Sequence, residues 1–219
     1  ALTQSQVTQL YQENNSTVGT HLFGCVANYN LDGSAKESMG TTAYDGTETD
    51  ITYRYDGTPT AVDFGVGGKS NYGTRFNGSS SKIVLPTSTF SPSTFSLSAW
   101  CNVTSDTDEN TILELFDNQT YPNHTTIVLS AGGTGYSSRF LLRNYATNQY
   151  NYNPSGTVSK NVWKHYAMTY DGSTVKSYID GSLVDSGSLT LSNTVGTISS
   201  IQIGLSSGSR HLNGDIDQV

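Results

Sequence analysis

The chain is poor in the residues that staple, stiffen or charge a protein. Its 219 residues include 2 cysteines, 2 methionines and 5 prolines, and 13% are charged. So few cysteines exclude a disulfide-dense scaffold. A chain of this length buries roughly 70% of the surface its unfolded form exposes, and needs no staples. Cys25 and Cys101 both fall in strand-like runs. They can form one bridge in an oxidising compartment, or be two small buried hydrophobes. Lysine and arginine total 11 against 18 acidic residues, a net charge of −7 with no basic cluster. That balance excludes a nucleic-acid partner, whose phosphates require gathered cations. No apolar run approaches the roughly 18 residues of a membrane-spanning helix, so the chain is expected not to be membrane-embedded. The histidines His21, His124, His165 and His211 are scattered and lack the short spacings of zinc sites.

What the chain has is Gly, Ser, Thr, Asn and Tyr, arranged in short alternating runs between turn signals. Asn161 to Gly187 is the most informative stretch. Asp171-Gly172 separates WKHYAMTY from STVKSYI, and Asp180-Gly181 separates that run from SLVDS. Asp-Gly between alternating strands marks a hairpin whose central residues take positive φ. Val175, Ser177 and Ile179 share one face of the middle run, opposite Thr174, Lys176 and Tyr178. A period of two with one apolar face is a half-buried antiparallel strand. The stretch is therefore a three-stranded meander, expected at the centre of the molecule.

Residues 1–15 are the one helix candidate: Thr3 with Gln6 fits a capping box, and Leu2, Val7, Leu10 and Tyr11 share a face. Strands follow over His21 to Leu31, near Ile51 to Tyr55 and Ala61 to Phe64, and in a hairpin from Arg75 to Pro86 turning at Asn77-Gly78. In Phe95 to Val103, Leu97, Ala99 and Cys101 face one way and Trp100 the other. Further strands cover residues 111–117, 125–131, 138–144 and 199–205, with a last from Ile216. Strands this short and frequent predict an all-β fold, a sandwich of two antiparallel sheets.

Several of these segments resemble one family. Trp163-x-His165-x-Ala167-x-Thr169-Tyr170-Asp171-Gly172, then Tyr178-Ile179-Asp180-Gly181-x-Leu183-Val184, are similar to laminin-G-like domains of the concanavalin A-like lectin/glucanase superfamily. Val26 to Gly33, Arg75 to Pro86, Phe95 to Val103 and Gly204 to Val219 fit the same pattern in order. The resemblance implies a jelly-roll sandwich with first and last strands as neighbours. It also implies that the Ala1-Leu2-Thr3 … Val7 … Leu10-Tyr11 segment is a tail closing a preceding module, with residues 16–219 forming this sandwich and its last strand truncated. A structural calcium is expected where Asp32, Asp215 and Asp217 converge, because carboxylate and carbonyl oxygens at a loop-rich edge suit that ion.

The fold alone carries lectins, enzymes and structural modules. The paired carboxylates of its glycoside hydrolases, in an E-x-D-x-x-E strand, are missing: Glu114 to Gln119 has the wrong spacing and no second glutamate. Glu114 is expected to face solvent or meet a cation, and His165 to serve as a structural hydrogen-bonding residue. Tyr145, Tyr150 and Tyr152, with Arg143 and Asn148, are candidates for stacking on and hydrogen-bonding a sugar. Tyr44, Tyr53, Tyr55 and Tyr72 form a second aromatic group. The expected function is a non-catalytic adhesion or carbohydrate-binding module of a larger extracellular or virion-surface protein. Its partners would be a glycan or cell-surface polysaccharide and neighbouring modules of the same chain. The alternatives are a spacer that builds a fibre or shell, and thirdly a glycan-active enzyme.

Overall fold

Strands with one apolar side must bury it against another layer, and here two sheets do so face to face. The computed structural model describes residues 1–12, 27–29, 31, 34–36, 44–55, 69, 72–87, 93–106, 109–117, 125–144, 149–190, 198–207 and 209–219. Among these lie one helix, α1 (Gln4–Gln12), and the strands β1 (Thr47–Thr49), β2 (Thr52–Tyr55), β3 (Tyr72–Asn77), β4 (Lys82–Leu85) and β5 (Phe95–Val103). The strands β6 (Thr111–Phe116), β7 (Thr125–Ser130), β8 (Arg139–Asn144), β9 (Gln149–Tyr152) and β10 (Trp163–Tyr170) follow. The last are β11 (Thr174–Ile179), β12 (Ser182–Ser188), β13 (Ser200–Ile203) and β14 (Asn213–Asp217).

The first sheet runs β1-β4-β13-β6-β7-β8-β9 and the second β12-β11-β10-β5-β14-β3-β2, antiparallel throughout. Leu113, Leu115, Ile127, Leu129, Phe140 and Leu142 of the first sheet meet Ala99, Cys101, Tyr166, Met168, Tyr170 and Ile216 of the second in one core. This is the expected sandwich. Tyr29 and Val219 exchange backbone hydrogen bonds of 2.8 and 2.9 Å, so the early and late segments are neighbours. Cys101 is a free, buried thiol in that core; Cys25 lies outside the described residues.

Four details depart from the sequence reading. The meander β10-β11-β12 forms a flank of the second sheet, with β12 at its edge, while β5 is central. Only its second turn has both residues at positive φ, Asp180 at 50° and Gly181 at 73°. In the first, Gly172 alone does, and Asp171 Oδ1 accepts the N–H groups of Ser173 and Thr174 instead. Residues 75–86 are not a hairpin but a corner, because β3 belongs to the second sheet and β4 to the first. Asn77 Oδ1 accepts the N–H groups of Ser79, Ser80 and Ser81, folding the chain from one layer to the other. Lastly, β9 lies between residues 144 and 163, where the sequence reading placed no strand.

The helix has the expected capping box, with Thr3 N–H on Gln6 Oε1 at 2.9 Å and Gln6 N–H on Thr3 Oγ1 at 3.3 Å. It packs on the outer face of this sandwich's second sheet through fully buried Val7, against Ala167 and Tyr178.

Candidate functional site

Each sheet turns its second set of side chains outward, and the two outer faces are built differently. On the second sheet, β10 and β5 place His165 opposite Trp100. Tyr11 of α1 stacks on Trp100 at a centroid distance of 5.4 Å, and Lys69 Nζ lies 4.4 Å from the Trp100 ring centroid. Gln4 and Thr8 donate to the Gly181 carbonyl at 2.6 and 3.3 Å. His165 is buried in this stack, which lowers its pKa to about 4 because desolvation outweighs the attraction of Asp180. Its expected hydrogen-bonding role falls to the backbone, whose N–H donates to Asp180 Oδ1 at 3.0 Å, while Nδ1 has no partner among the described residues.

The same face carries Asp215 and Asp217 on β14, both buried. Arg75 grips Asp215 with Nε on Oδ1 and Nη2 on Oδ2, the latter at 2.7 Å. A carboxylate whose two oxygens are held by a guanidinium fits an ion pair rather than a cation ligand. Among the described residues no three His, Cys, Asp or Glu side chains gather in a way that holds a metal. Asp32, the third expected ligand, lies outside them.

The tyrosines proposed for stacking divide likewise. Tyr145 and Asn148 lie outside the described residues. Tyr150, opposite Leu142 in register, points into the sandwich at 7% exposure. Its hydroxyl donates to Asp185 Oδ2 at 2.7 Å and meets Ser177 Oγ at 2.9 Å. That contact ties the edge of the first sheet to β11 and β12. Tyr152 faces the same way, 6.2 Å from the Phe140 ring. Arg143, opposite Gln149, takes the outer face. The structure therefore separates Arg143 from the two tyrosines, whose rings pack into the sandwich.

The outer face of the first sheet is organised in rows. One reads Phe116–Thr126–Arg143–Gln149 across β6 to β9, and the next Glu114–Val128–Leu141–Asn151. Arg139 begins a third and reaches across to Asn151 Oδ1 at 3.4 Å. Glu114 is not solvated, and among the described residues it has no salt bridge. It is 2% exposed and accepts both the N–H and the hydroxyl of Ser207, which pins the loop after β13 over this face. Burial raises its pKa, opposed by those two bonds.

Beside it, buried Glu109 accepts from Arg139 Nη1 on both oxygens, at 3.1 and 3.0 Å, and forms an ion pair through Oε2 with Arg210 Nη1 at 2.9 Å. Tyr136 also hydrogen-bonds Glu109, and its own pKa rises to about 12 through burial first and this carboxylate second. The sequence reading missed this cluster, since residues 109, 136, 139 and 210 come from separate elements. The alternation Arg139-Leu141-Arg143 in β8 was the available signal.

Chemically, the face offers guanidinium and amide groups, the half-buried rings of Phe116 and Tyr136, and two carboxylates already engaged. Such groups can hold hydroxyls and carboxylates. A free acid–base pair flanking a scissile bond is not present among the described residues.

Residues 77–219 match a laminin G family model, described as the concanavalin A-like lectin/glucanases superfamily. Among curated proteins no sequence matches. Among solved structures, domain 4 of AbnA, a GH43 extracellular arabinanase from Geobacillus stearothermophilus in complex with arabinotriose, is similar with a TM-score of 0.64. It is 24% identical, and the match covers 88% of each chain. A botulinum neurotoxin type C structure, from work on its interaction with two ganglioside molecules, gives a TM-score of 0.53 at 16% identity, covering 88% of this chain and 46% of that one. The enzymatically active domain of tailspike protein 2 from bacteriophage CBA120 gives 0.51 at 15%, covering 80% and 27%. At these identities what is shared is the fold.

Proposed function

The chain belongs to the laminin G family of the concanavalin A-like lectin/glucanases superfamily, and on that premise we propose that it is a non-catalytic carbohydrate-binding module of a larger extracellular or virion-surface protein. The observation that carries this reading is the contrast between the faces: α1 covers Trp100, Ala167 and Tyr178 of the second sheet, while at the edge of the first, beside buried Thr126, Val128 and Leu141, half-buried Arg143 stands opposite exposed Gln149 and half-buried Arg139 reaches exposed Asn151. Neighbouring strands lie about 5 Å apart, and same-face residues along a strand about 7 Å. That grid of planar donors and acceptors matches closely spaced sugar hydroxyls, with Phe116 as an apolar surface beside it. The arabinotriose complex of AbnA domain 4 and the ganglioside interaction of the neurotoxin support a glycan as the ligand class. Engagement of Glu109 and Glu114 by internal partners supports binding without catalysis.

The test is a glycan-array screen of the module with and without a calcium chelator, repeated on Arg143→Ala. The expected result is a hit that survives chelation and is lost in the variant while its melting temperature stays the same. A blank array from folded protein in both conditions would overturn this reading in favour of a structural spacer.

A further inference from the structure

Resting on that reading, we propose that Arg139 and Arg210, gathered on Glu109, form an anion subsite that makes the module select acidic sugars carrying a carboxylate. The chain is acidic overall, yet three of its five arginines, Arg139, Arg143 and Arg210, come from β8 and the loop that closes over the same face. Two guanidinium groups share Glu109 Oε2, at 3.0 and 2.9 Å, so one buried carboxylate holds two cations side by side. Glu109 is 4% exposed, whereas the Arg210 side chain is 46% exposed. The negative charge is turned inward and Arg210 outward, while Arg139 lies between them with its side chain 18% exposed.

Each arginine spends Nη1 on Glu109, and Arg139 Nε reaches Asn151. Arg139 Nη2 and the remaining Arg210 nitrogens have no partner among the described residues. A guanidinium fork with unused N–H groups recognises a carboxylate by two parallel charge-assisted hydrogen bonds. The neighbouring acidic groups do not cancel this. Glu114 is buried, with both oxygens taken by the N–H and hydroxyl of Ser207, and Asp106 is paired with Lys160 at 3.0 Å. The Tyr136 hydroxyl is held by Glu109 and stays protonated at neutral pH. Two guanidinium groups fixed by a common anchor are also pre-organised, which limits the ordering cost of binding.

The experiment is calorimetric titration of the whole chain with two matched pairs: tetragalacturonate against its methyl ester, and sialyllactose against lactose. At least one acidic member should bind about tenfold or more tightly than its neutral partner, the gain of a charge-assisted pair over a neutral contact. The preference should shrink as salt is raised and vanish in Arg210→Gln. Arg139→Lys keeps the charge but loses the fork, and should retain only part of the preference. Equal affinities within both pairs, or no acidic probe bound while the array yields a neutral hit, would overturn the subsite and leave the carbohydrate-binding reading standing. A blank array would remove both.

Discussion

The two outer faces of the sandwich solve the same problem in opposite ways. The second sheet exposes aromatic and small apolar groups, Trp100, Ala167 and Tyr178, and hides them under α1 with Val7 and Tyr11 as the contacts. The first sheet keeps polar groups outward and satisfies the carboxylates beside them in place, Glu109 by two arginines and Glu114 by hydrogen bonds from Ser207. One face is closed by packing and the other is held by electrostatics. A packed face contributes stability and leaves little for a ligand; a polar, anchored face contributes less but keeps donors available.

The contrast can be broken most severely at Trp100. Trp100→Ala should cost about 4 kcal/mol in urea unfolding by removing the platform beneath Tyr11, while glycan binding by the folded fraction persists. Acid should act on the same face. The His165 pKa is near 4 in the folded chain against about 6.5 when unfolded. The unfolded state therefore takes the proton first. Stability is full above pH 6.5 and falls as pH drops toward 4, by up to about 3 kcal/mol; His165→Gln should flatten that slope in melts across this range. On the first sheet, Glu109→Gln should cost about 2 kcal/mol by leaving two guanidinium groups facing each other. Tyr150→Phe removes the Asp185 and Ser177 contacts and should cost about 1 kcal/mol without altering glycan affinity. Smallest in stability, Arg143→Ala should change the unfolding midpoint by less than about 0.5 kcal/mol equivalent, yet weaken glycan binding about tenfold or more. Loss of binding in Tyr150→Phe but not in Arg143→Ala would overturn the placement of the site on this outer face and move it to the sandwich edge where Tyr150 meets Asp185.

Alternation and turn chemistry made much of the fold legible. The 95–103 run declared its buried side, with Trp100 turned away, and Thr3 with Gln6 announced the start of α1. The pattern did not say which layer a strand joins. Asn77-Gly78 serves a corner as readily as a hairpin, because the same Asx geometry satisfies both. The site was less legible still. In QYNY, a period of two is visible, but whether Tyr150 or Asn151 faces inward is decided by pairing with Leu142 and Leu141 on β8. Glu114 looked solvent-facing because its cover, Ser207, lies 93 positions along the chain. The cluster on Glu109 depends on long-range closure in the same way.

The place of β14 has a consequence in time. It is fourteenth in chain order, yet it lies inside the second sheet between β5 and β3. As a nascent chain leaves the ribosome, β5 and β3 must wait with an open slot between them until residues 213–217 arrive. Two bare strand edges facing one gap invite any other extended segment to enter, so aggregation during synthesis is the hazard this topology creates. Pairings this distant in sequence also make folding slow. The charged Asp215, which must find Arg75 when it enters, discourages a purely apolar strand from taking that slot.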